Sequence, residues 1–417
     1  MDLCRGQKKH YIPHGERGPA GAKGSSLATA PCRQERYSFP IFCILRVLFT
    51  HQIFVVVHIL ILNWNNAADT LACLQSLRGQ TLREFRVLVL DNGSEAADRQ
   101  QLERDFPTDA RFRLLTSPDN LGFTRGVNHL LREHILPGDD EFVVLLNNDT
   151  EAEPQWLEQL LAQAHRTGAD MVASCMINYF ARDRMDNAGH FVLNTGEILP
   201  LGHDEPVDDH QQARTNAGAC AGAALYRVDM LRHIGLFDPF FHTGYEDAEL
   251  GLRALLCGYD CQYAPQAVVY HKISRSINKI RDFQYTLKIQ VDVFYSVLKC
   301  WPWPNLVLNL PFFAFKVFGI TIMNLVFGRW KFMRVLWTAL YRVLIRDRQA
   351  ILRARRHFFA QAKPTLPGGM PKAKLRFIPQ GLPWYAFQQK LTFFLWFDLR
   401  RFYKYIWKRE KMVFEKY

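Results

Sequence analysis

At 417 residues, with 48% apolar and 13% aromatic residues, the chain excludes a largely disordered protein and leaves room for two or three domains. Its net charge of +12 is unevenly laid out: from Trp301 onward 22 Lys/Arg face 4 Asp/Glu, a net of +18, which leaves −6 for the first 300 residues. An acidic unit joined to a basic, aromatic one points to an anionic partner for the second half, with a merely solvated basic domain as the blander reading.

Residues 1–54 read as a disordered and then hydrophobic leader. The apolar stretch 39–57 is interrupted by Arg46, His51 and Gln52. A spanning helix needs ~20 mostly apolar residues, and a central Arg costs about 2.5–3.5 kcal/mol on the insertion scale. A signal anchor and a non-native leader from an upstream start codon both fit, and the second is preferred. From Val55 the pattern becomes regular. Strands are predicted over 55–63, 85–91, 111–117, 141–147 and 169–174, with helices over 69–77, 95–106, 124–135 and 155–165 between them. The strand runs are continuously apolar rather than alternating, as expected of a mostly parallel sheet covered by helices on both faces.

Carboxylates follow two of these strands: Asp91 in VLVLDNGS and Asp149 in VVLLNNDT. Ligands of open α/β sheets bind where strands finish, and a carboxylate just past a buried strand is costly unless it meets water, a metal or a ligand. Asn92-Gly93 allows a sharp turn expected to expose Asp91, which could instead cap the next helix. Trp64 either stacks on a ligand or packs. Glu246-Asp247 open a third acidic segment, on a helix start where the dipole alone would favour acids. Together these suggest an enzyme handling a metal and a phosphorylated donor. Gly218–Gly222 is a small-residue turn, suited to close ligand approach or to tight packing. The nine cysteines form no CxxC pair and read as reduced, buried thiols of a cytosolic protein.

Beyond His271 the composition shifts, and 276–417 is expected to be a basic, aromatic, helical region associated with a membrane. Segment 305–327 is almost wholly apolar, but Lys316 and Pro311 argue against a clean span, leaving a re-entrant or spanning segment as the alternative. The amphipathic stretches 330–356 and 387–416, separated by a Pro/Gly loop at 364–381, suit interfacial helices on an anionic membrane surface. No nucleic-acid recognition motif is present, so nucleic acid is not expected. A chain ending near Ile280 is expected to stay soluble and to bind donor.

The segments ILNWNN (61–66), VLDNGS (89–94), NLGFTRGVN (120–128), LLNNDT (145–150), GACAGAALYRVDMLRHIGLFDPFF (218–241) and GYEDAELGLRALLCGYDCQYAPQAVVYH (244–271) occur in this order. They resemble the family 2 glycosyltransferases, in particular the rhamnosyltransferase-like branch that builds bacterial surface polysaccharides. The resemblance covers residues 55–275. It implies a glycosyltransferase-A-type catalytic domain, a nucleotide-sugar donor, a divalent cation (Mg²⁺ or Mn²⁺), inversion at the anomeric carbon and a lipid-linked or lipopolysaccharide acceptor. It also implies attachment to the cytoplasmic face of a bacterial inner membrane. Under it Asp91 holds the nucleotide, with Asn63 and Asn65 lining the base pocket, while Asn120, Gly122, Arg125, Asn128, Asn148 and Gly222 complete the donor side near a helix N-terminus, a ready anion site. Asp149, in an NND segment where the superfamily has DxD, holds the metal. His271 is either its second ligand or structural. Asp247 is the general base, and Glu246 and Arg253 orient the loop or meet the acceptor. A processive polysaccharide synthase should carry QxxRW, whereas Arg329-Trp330 has Val326 where Gln would stand. A catalytically inactive binding subunit is the remaining alternative, against which Asp91, Asp149 and Asp247 all speak.

Overall fold

A computed structural model describes residues 56–361 except 194–195, 242–243, 274–282, 327 and 329. The expectations for the leader 1–54, the loop 364–381 and the stretch 387–416 lie outside the described residues. Nearly every predicted element up to residue 178 is present. β1 (Val57–Asn63), β2 (Phe85–Asn92), β3 (Phe112–Ser117), β4 (Phe142–Leu146) and β6 (Met171–Asn178) alternate with α1 (Ala67–Arg78), α2 (Ala96–Asp105), α3 (Gly122–Leu130) and α4 (Trp156–Thr167). Only β5 (Thr150–Ala152) is an addition there. α3 runs on into a wider turn over Leu131–Ile135.

The apolar runs make sense face by face. Leu60, Leu88, Leu90, Val143 and Leu145 point into one core, lined by α3. Their neighbours Ile59, Ile61, Val87, Val89 and Val144 point into the other, lined by α1 and α4. Because successive strand side chains alternate between faces, burial on both faces demands continuous hydrophobicity.

The sheet is mixed, which corrects the expected mostly parallel one. Its order is β10-β12-β6-β11-β4-β1-β2-β3. β3, β2, β1 and β4 are mutually parallel. β11 (Ala223–Arg227) then inserts antiparallel between β4 and β6. β12 (Cys261–His271) runs parallel to β6 but antiparallel to β5 and to β10 (Arg214–Asn216). The connection from β6 to β11 carries β7 (Met185–Asn187), a small hairpin of β8 (His190–Val192) and β9 (Ile198–Pro200), and β10, with no helix of eight residues or more among the described residues to return the chain to the same end of the sheet. A helical crossover is what parallel pairing requires. β1, flanked by β2 on one side and β4 on the other, is where strand order reverses, the customary ligand crevice of such sheets.

After β11 come α5 (Val228–Ile234) and α6 (Glu246–Leu256), and after β12 the described residues form α7 (Phe283–Cys300), α8 (Trp303–Val326), α9 (Trp330–Tyr341) and α10 (Arg348–Gln361). The composition changes near residue 275, but the packing does not stop there. Val297, Cys300 and Trp301 and Phe358 of α10 belong to the same apolar core as α5, α6 and the sheet. Lys299 joins Glu249 of α6 at 2.7 Å and Asp238 at 2.5 Å. These contacts bear on the expectation that a chain ending near Ile280 would stay soluble and bind donor, because buried Glu249 would lose its α7 partner.

Among the described residues no helix is long and apolar enough to cross a membrane. The segment for which a spanning or re-entrant course was the alternative forms α8, one uninterrupted helix that contains Pro311 and buries Asn305, Lys316 and Asn324. All six described cysteines are free, five of them buried.

Candidate active site

The ends of β1, β2 and β4 carry the first part of the site. Asn63 and Asp91 are register partners in the parallel β1–β2 pair. Asp91 is not exposed as the Asn92-Gly93 turn suggested: it is wholly buried. Its carboxylate accepts from Asn63 Nδ2 at 3.0 Å and from Arg99 Nε at 2.9 Å. Asn63 also faces Ser94 Oγ and Asp98, and its own oxygen accepts from Thr70 Oγ1 at 2.7 Å. Asn63 therefore positions Asp91 more than it offers itself to a ligand. Trp64 is 53% exposed, so it does not pack. Asn65 holds a left-handed φ of 51°, an uncommon conformation for which Asn is several-fold enriched. It is kept there by a bond from the Glu95 backbone N–H to its side-chain oxygen at 2.7 Å.

The turn at Gly93 has φ +74°, and a Cβ there would lie 2.4 Å from the Asp119 carbonyl carbon. Only glycine lets the 119–120 loop lie against it. Asn92, read in the sequence only as a turn residue, secures that contact: it donates toward Asn120 Oδ1 and the Gly122 carbonyl and accepts from Leu121 N. Arg125 on the first turns of α3 is exposed. Asn128 points the other way, with both amide atoms bonded to the Phe237 backbone.

At the end of β4, Asn148 Nδ2 donates to Thr70 Oγ1 at 2.9 Å. Thr70 thus links the Asn63–Asp91 pair to the NND segment. Asp149 Oδ1 lies 3.2 Å from His271 Nε2. Adjacent ligands of an octahedral cation with bonds of about 2.1 Å sit ~3 Å apart, so this carboxylate and imidazole have the spacing of two neighbouring ligands. His271 Nδ1 is 2.8 Å from Asp186 Oδ2, the place that an outer-shell carboxylate takes beside a metal-binding His. Burial opposes a charge on His271, yet Asp149 and Asp186 together push its pKa up to about 10. Burial likewise works against ionised Asp186, but His203 and His271 bring it down to about 2. Two carboxylates on one ring favour its protonated form, so a divalent cation on Asp149 and His271 would have to displace that proton. Asp186 lies in the irregular stretch before β8 and was missed. No spacing pattern marks it.

Asp247 sits on the first turn of α6. Its Oδ2 accepts from Ala221 N at 2.9 Å and its Oδ1 from Ala248 N at 2.7 Å. His190 Nε2 stands 4.0 Å away. His190, Cys220 and Asp247 form a cluster whose ligating atoms lie within 4.8 Å of one another, the arrangement of three such groups seen among the described residues. Glu246 beside it is buried, and its Oε2 has no hydrogen-bond partner. Burial first, and then the Asp247 charge, push its pKa up to about 8. A carboxyl raised from 4.5 contributes its full stability below that value and loses it as pH climbs through about 8. Urea unfolding is therefore expected to weaken over that window in the wild type, and Glu246→Gln is expected to flatten the dependence. An unchanged slope would mean that Glu246 ionises freely. Arg253, the other acceptor-side candidate, is buried with its guanidinium on Glu249 and on the carbonyls of Ile234, Gly235 and Leu236, which makes it an orienter of that loop.

The small-residue turn joins the two ends of the site. A Cβ on Gly251 would come within 2.7 Å of the Gly218 Cα, so α6 packs directly on the turn and the close approach is to a helix. That contact brings Asp247 under the Ala221 N–H, while the next residue, Gly222, accepts from Asn147 N at 2.8 Å. Consecutive residues thus hold the acid of α6 and the NND loop.

Against known proteins, residues 58–235 match Glycosyl transferase family 2. Over this stretch the chain is similar to that family. Its fold is α/β, with helices layered about a mixed sheet. The glycosyltransferase match ends before Glu246, Asp247 and His271, whose standing rests on the geometry above. The chain is similar to the putative glycosyltransferase EpsH of Bacillus subtilis, 26% identical over 225 residues, or 53% of this chain and 61% of that protein. It is also similar to the O-antigen biosynthesis protein RfbC of Myxococcus xanthus, 25% identical over 258 residues, or 59% of this chain and 19% of that one. The chain spans less than two thirds of the curated relatives it matches. Among solved structures, the mannosyltransferase PcManGT of Pyrobaculum calidifontis aligns at a TM-score of 0.43 and 15% identity, covering 73% of this chain and 84% of that one, too distant a likeness to carry argument.

Proposed function

We propose that this chain is an inverting, metal-dependent glycosyltransferase. It would move a sugar, a hexose or deoxyhexose such as rhamnose, from a nucleoside-diphosphate donor to a hydroxyl of a lipid-linked or lipopolysaccharide acceptor. It would work attached peripherally to the cytoplasmic face of a bacterial inner membrane. The observation that carries this reading is the turn Cys220–Gly222, which ties Asp247 and the NND loop to adjacent backbone groups.

The residues divide the work as follows. The β1–β2 crevice around Asp91, with exposed Trp64 above it, receives the nucleoside. Arg125 and the start of α3 receive phosphate oxygens. Asp149 and His271 would hold the divalent cation, with Asp186 keeping His271 in the ligating tautomer, and the chemistry supplied there would be an offset to charge on the departing diphosphate. Asp247, its carboxylate aimed by two backbone N–H groups, takes the proton from the acceptor hydroxyl as the new C–O bond forms and the bond to the diphosphate breaks on the opposite face. Glu246 is protonated at neutral pH, so it does not compete for that proton.

The test is metal-linked nucleotide binding. Transfer should cease in EDTA and return with Mn²⁺ or Mg²⁺. Asp149→Ala should weaken nucleoside-diphosphate binding only when metal is present. Asp186→Asn should weaken the metal itself about 10–100-fold, as outer-shell losses do. A chain fully active in EDTA would remove the metal role and shift leaving-group stabilisation to Arg125.

A further inference from the structure

α8 is built inside out. Val307, Leu308, Leu310, Phe318 and Ile322 are 59–67% exposed, whereas Asn305, Lys316 and Asn324 are only 4–6% exposed. At 3.6 residues per turn Val307, Phe318 and Leu325 fall within about 20° of one another, and Asn305 and Lys316 fall on the opposite side. A helix packed on a protein in water has the reverse arrangement. The inward Lys316 pairs with Glu197 at 2.9 Å, and the Phe313 ring lies against Gly196 of the same hairpin. The docked side thus carries Asn305, Lys316 and Asn324 beside inward-packed Leu306, Phe313 and Val317, while the side that faces out is apolar. Trp330, Trp337, Tyr341, Leu344 and Ile345, on α9 and the turn after it, add a second outward group. Exposed apolar surface of this kind marks an interaction site.

We propose that the outer face of α8, with the exposed aromatics of α9, is seated in the headgroup layer of an anionic bilayer, with α8 lying along the membrane plane. The proposal specifies the surface for the peripheral attachment put forward above, and it stands on polarity inversion rather than on net charge. Charge then selects the occupant. Residues 301–361 hold ten Lys/Arg and one Asp, and 362–417 hold twelve Lys/Arg and three acids. A second copy, or the chain's own C-terminal segment, would bring like charge to this face. Anionic headgroups are complementary to it, and Trp and Tyr favour that layer. The seat also connects to the catalytic helix. Glu197, held by Lys316, lies in the β8–β9 turn, where the Ile198 N–H donates to Tyr245 Oη at 2.9 Å. Tyr245 is the left-handed residue just before Glu246-Asp247, with φ 77°.

The test uses the full chain, phosphatidylcholine vesicles with and without phosphatidylglycerol, and the variant Val307→Ser/Leu310→Ser/Phe318→Ser/Ile322→Ser. These side chains are exposed, so the fold should be retained, and unchanged nucleotide binding would report that separately from any failure of the transferase reading. Wild type should float with the anionic vesicles, and the variant should partition at least about tenfold less. Brominated lipid should quench tryptophan fluorescence less in Trp330→Phe/Trp337→Phe than in wild type. Equal flotation of variant and wild type, or equal quenching with and without Trp330 and Trp337, would overturn the proposal. So would a wild-type dimer that the Ser variant converts to monomer, which would give the face to a second copy.

Discussion

Asp247→Asn is expected to lower kcat by about 10²–10⁴-fold, the range for losing a general base, while donor affinity changes little. The amide keeps the volume of the carboxylate and can still accept from one of the two backbone donors, Ala221 N or Ala248 N, that aim it. It cannot take a proton. Glu246 provides the internal control: buried and raised to about 8, it holds its own proton at pH 7, so Glu246→Gln should leave kcat within a few fold. In Asp247→Asn the neighbouring charge disappears and Glu246 becomes easier to ionise, although burial still opposes it. Residual activity of that variant should therefore grow with pH and vanish in the double variant with Glu246→Gln. Single-turnover rates and nucleotide titration on the same preparations separate chemistry from binding. A kcat for Asp247→Asn within about threefold of wild type would remove Asp247 as base.

How much of this could be read in advance depended on whether the chemistry lay in local pattern. Asp149 and Asp247 stood out because each follows a strand or opens a helix, and His271 because it ends an apolar run. The first strands and helices were legible for the same reason, since burial on both faces of β1, β2 and β4 leaves unbroken apolar runs. Strand direction is not written in periodicity, so β11 was not seen to enter antiparallel, and the short strands between 185 and 216 have too few residues to show a period. The partners that aim the site were hidden for another reason. Thr70 is an ordinary helix residue until the fold puts it between Asn63 and Asn148. Asp186 becomes relevant only when β7 pairs beside β6 and faces His271. Asp91 was expected in the open because Asn92-Gly93 makes a turn, and nothing local discloses that Arg99, eight residues on, covers it. Lys299 lies at the very end of the acidic first 300 residues, and no spacing marks it as the partner of Glu249.

Lys299→Met is expected to destabilise the protein by about 3–5 kcal/mol, the cost of removing one partner from a buried ion pair. The ammonium joins Asp238 and Glu249, and burial alone would lower its pKa, yet Glu249 leads the charges that raise it. Without it two buried carboxylates lose a counter-charge together. Their other contacts, Arg253 for Glu249 and the Tyr295 hydroxyl for Asp238, should keep the loss toward the lower end of that range. Methionine roughly fills the volume of the lysine stem, so the effect reads out charge rather than a cavity. Urea unfolding midpoints measure it, and the double variant with Glu249→Gln should cost less than the sum of the single variants because the two residues share one network. A chain ending near Ile280 loses Lys299 together with the apolar face of α7, and it should be insoluble or unfold without a cooperative transition. If that truncated chain unfolded cooperatively and bound nucleotide as the full chain does, α7 would be an appendage. If instead Lys299→Met lowers kcat beyond what its stability loss at the assay temperature explains, the clamp also sets the position of α6, two residues along which Asp247 must meet the acceptor.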